Sequence, residues 1–119
     1  MRVSEPHRSL RTCAVEAAVA VLGGKWKPIL LFHLLSGTKR FSDLRRLVPQ
    51  ASDRMTTRSL REMEVDGLVR REVFAEVPPR VEYSLTEDGR SLIPVLDAMS
   101  AWGRTRSATP TDPAADLPR

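Results

Sequence analysis

The sequence predicts a mainly α-helical domain carrying a small β-wing, with elements in the order α-α-β-α-α-β-β-α. Three observations predict it. Between Phe41 and Leu85 a short helix, a turn and an arginine-faced helix are followed by two strands around Pro78-Pro79. Before that stretch, apolar residues recur at helical spacing in two blocks closed by glycines, and after it they do so once more. Helix, turn, helix and hairpin in this order make a winged helix-turn-helix, a module that lays one helix in the major groove of DNA.

Each element has a local reason. Residues 1–11 are polar and read as a flexible segment, ahead of a single domain over 12–106. From Ala14 to Leu22, Val15, Ala18, Val19 and Leu22 share one helical face that Gly23-Gly24 closes. A second helix follows Trp26 and Lys27 with Pro28 in its first turn. Ile29, Leu30, Leu31, Phe32, Leu34 and Leu35 make it apolar around nearly its whole circumference, so it is expected to be buried on most sides as the spine of the domain. His33, on the side of Trp26, Ile29 and Leu30, reads as a hydrogen-bonded core histidine. Gly37 ends this helix, Thr38 to Arg40 supplies a short strand, and Ser42 is placed to cap a helix over Asp43 to Leu47.

After the turn Val48-Pro49-Gln50-Ala51, Ser52 caps the next helix and Gly67 ends it in the left-handed conformation. The 100° periodicity puts Met55, Thr56, Ser59, Leu60 and Met63 on a core side, with Arg54, Thr57, Arg58 and Arg61 opposite. Leu68 to Val77 and Val81 to Leu85 form the wing strands, with Val81, Tyr83 and Leu85 on one face. Thr86 then caps a final helix striped by Leu92, Val95, Leu96, Met99 and Trp102, in which Pro94 is expected to cause a bend. Residues 107–119, rich in Pro, Ala and Thr, read as a disordered tail.

Charge turns this layout toward nucleic acid. Arg54 and Arg58 are like charges at i,i+4, and Glu62, Glu64 and Asp66 gather where they oppose the helix dipole. Local helix stability did not select that arrangement. Arginine's planar fork of donors matches phosphate and the guanine O6/N7 edge. From Lys39 to Arg61 there are seven cations against two acids, while the whole chain carries a net charge of +4, so the basicity is local to this segment.

Composition excludes other classes. The chain has 119 residues, one cysteine and two histidines, too few ligands in one chain for a structural zinc or iron–sulfur site. No nucleophile is paired with a base and no cofactor fingerprint is present, so neither catalysis nor a cofactor is expected. No run of 18 apolar residues occurs and the N-terminus lacks a signal-peptide core, which together predict a cytoplasmic, nucleoid-associated protein with no membrane role.

The candidate DNA contacts are Ser42, Gln50, Ser52, Arg54, Thr57, Arg58 and Arg61, with Arg80 at the wing tip positioned to reach the minor groove or flanking phosphates. Cys13 is the candidate sensor, predicted at the N-terminus of the first helix beside Arg11, surroundings of the kind reactive thiols use. An inert thiol is the alternative.

Cys13, Gly23-Gly24-Lys25-Trp26, Arg40-Phe41-Ser42-Asp43-Leu44, Leu60-Arg61-Glu62-Met63-Glu64, Asp66-Gly67-Leu68-Val69 and Val77-Pro78-Pro79-Arg80-Val81-Glu82-Tyr83-Ser84-Leu85-Thr86 are matched in kind and order elsewhere. With Gly89, Pro94-Val95-Leu96 and Trp102-Gly103, they resemble the HxlR family of bacterial winged-helix transcription regulators, relatives of the MarR type. The resemblance runs from Cys13 to about Arg104. It implies a homodimer joined through the first and last helices, with Val15, Val19, Leu92, Leu96, Met99 and Trp102 at the interface. It also implies double-stranded operator DNA as partner, and, through Cys13, an oxidant, electrophile or other small-molecule effector. One departure stands out: family members commonly carry Pro-Lys-Met-Leu where this chain has Asp53-Arg54-Met55-Thr56. The expected function is a sequence-specific regulator, a repressor, acting on an inverted-repeat operator. A winged-helix interaction or architectural module that reads no bases is the alternative.

Overall fold

The computed structural model describes residues 10–106. Its elements are α1 (Leu10–Leu22), α2 (Trp26–Leu34), β1 (Lys39–Arg40), α3 (Phe41–Leu47), α4 (Asp53–Val65), β2 (Val69–Phe74), β3 (Arg80–Leu85), α5 (Glu87–Arg90) and α6 (Ile93–Arg106). The winged helix-turn-helix of the sequence reading is present as α3, the turn, α4 and the β2–β3 hairpin. β3 lies at the centre of an antiparallel sheet ordered β1-β3-β2, with Lys39 opposite Tyr83 and Val69 opposite Leu85.

The core forms where these elements meet. Leu30, Leu31 and Leu34 of α2 pack with Leu44 of α3, Leu60 and Met63 of α4, and Tyr83 and Leu85 of β3. Leu30 and Leu31 are fully buried, and each such side chain contributes about 1.5–3 kcal/mol. α4 is held at both ends as its sequence requires. The Ser52 hydroxyl accepts from the Met55 N–H at 3.1 Å, and Gly67 adopts φ +79°. There the Gly67 N–H donates to the Glu64 carbonyl and the Leu68 N–H to the Met63 carbonyl, which closes the helix while Leu68 packs into the core.

At the base of the wing, Thr86 joins two elements. Its hydroxyl donates to the Gly67 carbonyl at 2.6 Å and accepts from the Gly89 N–H at 2.9 Å, so one side chain ties the end of α4 to the start of α5.

Several expectations are corrected. α1 begins by Leu10, so Leu10 and Arg11 are helical rather than part of a flexible segment; residues 1–9 and the tail at 107–119 lie outside the described residues. Ser42 does not cap α3. The helix starts at Phe41, which places Ser42 inside the first turn, and Asp43 Oδ2 accepts from the N–H of the N-cap residue Arg40 at 2.9 Å.

The single bent C-terminal helix is instead two. Pro94 lacks an N–H and its ring crowds the carbonyl four residues earlier, so the chain breaks after Arg90 and restarts with Pro94 in the first turn of α6. α2 is buried on one side only, since Ile29 and Phe32 are 36% and 44% exposed. The expected interface stripe also divides. Leu96 is buried and Leu92 partly buried in the chain's own core, whereas Val95, Met99 and Trp102, i, i+4 and i+7 on the adjacent face of α6, remain exposed.

Candidate nucleic-acid interface

α4 separates its two faces cleanly. Thr56, Ser59, Leu60 and Met63 are buried against the core, and Arg54, Thr57, Arg58 and Arg61 are exposed. Met55, read as a core residue, is 38% exposed, because it sits at the edge of the buried stripe. Ser42, Gln50 and Ser52 are exposed around the helix entrance, and Ser52 presents its hydroxyl while that same oxygen caps α4.

Three acids of this surface, Asp43, Asp53 and Glu62, are already engaged, while Glu64 and Asp66 stay exposed toward the C-terminal end of α4. Asp43 meets the Arg40 N–H and, at 2.7 Å, the Arg46 guanidinium. These partners hold its carboxyl below the usual range, the Arg40 N–H contributing most. Asp53 accepts from Arg45 through two hydrogen bonds, Nε to Oδ1 at 2.9 Å and Nη2 to Oδ2 at 3.0 Å. Glu62 is met by the largely buried Lys27 of α2 at 2.9 Å and by Arg58 at 3.3 Å. Lys27 first, then Arg58, lowers the Glu62 carboxyl from its ordinary value. Arg54 and Arg61 enter no ion pair among the described residues. The exposed face of α4 therefore keeps a net positive charge, with Asp43, Asp53 and Glu62 neutralised beside it and Glu64 exposed near its C-terminal end.

Arg80 is placed otherwise than expected. It is the first residue of β3 rather than an outward wing tip, and its guanidinium lies 4.0 Å from the centre of the Phe74 ring. It pairs with Glu76 at 2.9 Å and Glu82 at 2.7 Å, with only a quarter of its side chain exposed. Those contacts hold its two Nη groups inside the wing, and its buried Nε has no partner among the described residues, so Arg80 locks the hairpin instead of reaching out of it. The exposed cations of the wing are Arg70 and Arg71 on β2, which the sequence reading passed over because two adjacent arginines break the alternation of a half-buried strand. Arg45 was also missed; it meets Asp53 across the turn, where no helical or strand period relates two positions.

Cys13 is exposed on α1, as its fourth residue rather than ahead of it. His33 is half-buried on α2 and touches Phe32 edge to face, with no hydrogen bond to its ring among the described residues. It lines a cleft of about 300 Å³ between α2 and α6, with Pro28, Ile29, Phe32, Leu96 and Met99. The described residues hold no group of three or more His, Cys, Asp or Glu side chains able to bind a metal, and no helix among them is long and apolar enough to cross a membrane.

A cationic helix held across a turn from a shorter one, beside a two-stranded wing, defines a winged helix-turn-helix transcriptional regulator. Residues 21–110 match the HxlR-like helix-turn-helix family, and the chain belongs to it. An HTH-type transcriptional regulator of Methanothermobacter thermautotrophicus is 55% identical over 92 residues, spanning 77% of this chain and 70% of its own. YdeP of Bacillus subtilis, also an HTH-type transcriptional regulator, is 55% identical over 91 residues, 76% of this chain and 71% of its own. Among solved structures, the redox regulator HypR in its reduced form is 50% identical with a TM-score of 0.76, covering 81% of this chain and 95% of that one. Its oxidised form gives 53% and 0.75, covering 78% and 96%. These relatives are named as helix-turn-helix transcriptional regulators and as a redox regulator.

Proposed function

We propose that the chain acts in the cytoplasm as a homodimeric repressor on an inverted-repeat operator in chromosomal DNA, with α4 of each protomer reading one half-site. The observation that carries this is the exposed face of Arg54, Thr57, Arg58 and Arg61, on which Arg54 and Arg61 have no ion-pair partner among the described residues while Asp43, Asp53 and Glu62 are occupied by other cations or by Arg58. Gln50, Ser42 and Ser52 supply neutral contacts at the helix entrance, and Arg70 and Arg71 take the flanking role first assigned to Arg80.

The dimer reading rests on apolar surface that one protomer leaves uncovered. α1 buries none of its residues, with Val15 and Val19 62% and 60% exposed, and Val95, Met99 and Trp102 are exposed on α6. Pairing these faces across a two-fold axis sets the reading helices one DNA turn apart, roughly 34–36 Å.

HypR is named as a redox regulator in both reduced and oxidised forms, and the exposed Cys13 supports the same kind of control here. Its oxidation to a Cys13–Cys13 bridge between protomers would release two electrons and two protons to a peroxide or diamide-type oxidant.

The test is fluorescence anisotropy on the chain's own upstream DNA and on a scrambled duplex, across a salt series, before and after oxidant, with sedimentation to give the oligomeric state. Tight, salt-steep binding to the native duplex by a dimer, altered by oxidant in the parent but not in Cys13→Ser, is the expected result. A monomer, or equal weak binding to both duplexes, would overturn the reading and favour an interaction module.

A further inference from the structure

Arg45 and Asp53 are joined by a feature that the reading of α4 leaves unexplained. Asp53 places a carboxylate at the first residue of the helix offered to DNA, where it would repel phosphate and the acceptor edges of the bases. Yet it stands about half exposed, with Arg45 of α3 half exposed beside it.

The pairing geometry matters. Arg45 uses Nε and Nη2, one side of its guanidinium, to grip both oxygens of Asp53. A guanidinium carries five N–H donors in a rigid plane, so the end formed by Nη1 and the second Nη2 hydrogen is left for another acceptor. α3 is the helix that crosses the phosphate backbone when α4 enters the groove.

We propose that Arg45 is a backbone-phosphate contact and that Asp53 is its positioning residue. Asp53 holds the fork side-on, and its outer end takes two oxygens of one DNA phosphate. This rests on the reading of α4 as the groove helix. It differs from the contacts of Arg54 and Arg61, whose longer search for a partner is not shortened by any fixed acid. A preset fork loses less side-chain freedom on binding, and the acid that would repel DNA is converted into the support of a cation.

A phosphate contact is independent of sequence, so a mixed-sequence duplex tests it apart from operator reading. On such a duplex and on the upstream duplex, Arg45→Ala is expected to weaken binding by the same factor, roughly tenfold for each protomer's contact and so about a hundredfold for the dimer. It should also lower the slope of log affinity against log salt by about 1.8, roughly 0.9 for the contact of each protomer. Arg45→Lys should restore that slope but not the full affinity.

Asp53→Asn supplies the decisive sign. Simple charge counting predicts tighter binding when an acid is removed, whereas loss of the support for Arg45 predicts weaker binding. In the Arg45→Ala background the same change should tighten binding, because only a repelling charge is then removed. Tighter binding by Asp53→Asn alone, or an unchanged salt slope in Arg45→Ala, would overturn the proposal. Loss of preference between the two duplexes, with these effects intact, would instead count against sequence reading by α4 and leave the phosphate contact standing.

Discussion

Thr56 offers a direct test of how α4 is seated. Its side chain is completely buried in the core side of the helix, and Oγ1 has no hydrogen-bond partner among the described residues. A buried hydroxyl without a partner costs about 1–3 kcal/mol in lost hydration. Thr56→Val keeps the branched shape and a similar helix propensity, and exchanges only the hydroxyl for a methyl. Taking the lower part of that range, because a methyl is slightly larger than the hydroxyl it replaces, the variant should be more stable by about 1 kcal/mol. For a domain of this size that raises Tm by roughly 4–8 °C. The assay is urea and thermal unfolding at one fixed protein concentration, since association makes apparent stability depend on concentration. DNA affinity should not change, because Thr56 faces away from the arginines. An equal or lower urea midpoint at unchanged slope would refute the reasoning. It would mean that the hydroxyl has a partner after all, most simply the Ser52 carbonyl one turn back, which accepts the Thr56 N–H at 2.9 Å.

Gly89→Ala should lose about 3 kcal/mol or more, read as a fall in urea midpoint, because its Cβ would lie 2.2 Å from the Leu68 carbonyl oxygen, which the Thr86 N–H fixes from the other side. Ser52→Ala should cost about 1 kcal/mol by unfolding and weaken DNA binding, since the cap orients the first turn of α4. His33 lies below its ordinary value of 6.5 because burial disfavours the imidazolium, with repulsion from Lys39 adding to it. The unfolded chain therefore takes up this proton first as the pH falls. The stability linked to His33 is complete above 6.5 and declines as the pH drops through 6.5 toward the lower folded value, a slope that His33→Gln should remove in urea titrations run from pH 8 to 5. Arg80→Ala should speed amide exchange across β2 and β3 by releasing Glu76, Glu82 and the Phe74 ring together, and Arg80→Lys should not rescue it, since an ammonium cannot bridge two carboxylates while stacking flat.

The parts of this fold legible in the sequence are those set by near neighbours along the chain. The cap at Ser52, the left-handed stop at Gly67, the two faces of α4 and the inward face of β3 all follow from residues within a turn or two of each other. What the sequence did not disclose depends on geometry across a loop. Whether Leu96 faces its own core or a partner depends on where Pro94 restarts the helix, and that in turn rotates the stripe the periodicity had treated as one. Arg80 read as an outward cation because a turn arginine usually is one; pairing across the hairpin sets Phe74 beneath it, while Glu82 lies two residues on along the same strand face. Arg45 and Asp53 belong to different helices, so no wheel drawn on either shows them together. The family departure at Asp53-Arg54-Met55-Thr56 was visible as a string, but its meaning lies in what Asp53 and Thr56 touch.

The hydroxyl of Thr86, which donates to Gly67 and accepts from Gly89, removes slack at the corner where the groove helix, the hairpin and the C-terminal arm converge. Movement at the start of α5 is thereby coupled directly to the C-terminal end of α4. A binding head mounted this stiffly works as a caliper. In the proposed dimer its jaw separation would be set where the two protomers meet, and a small angular change there would become a mismatch with the pitch of the DNA.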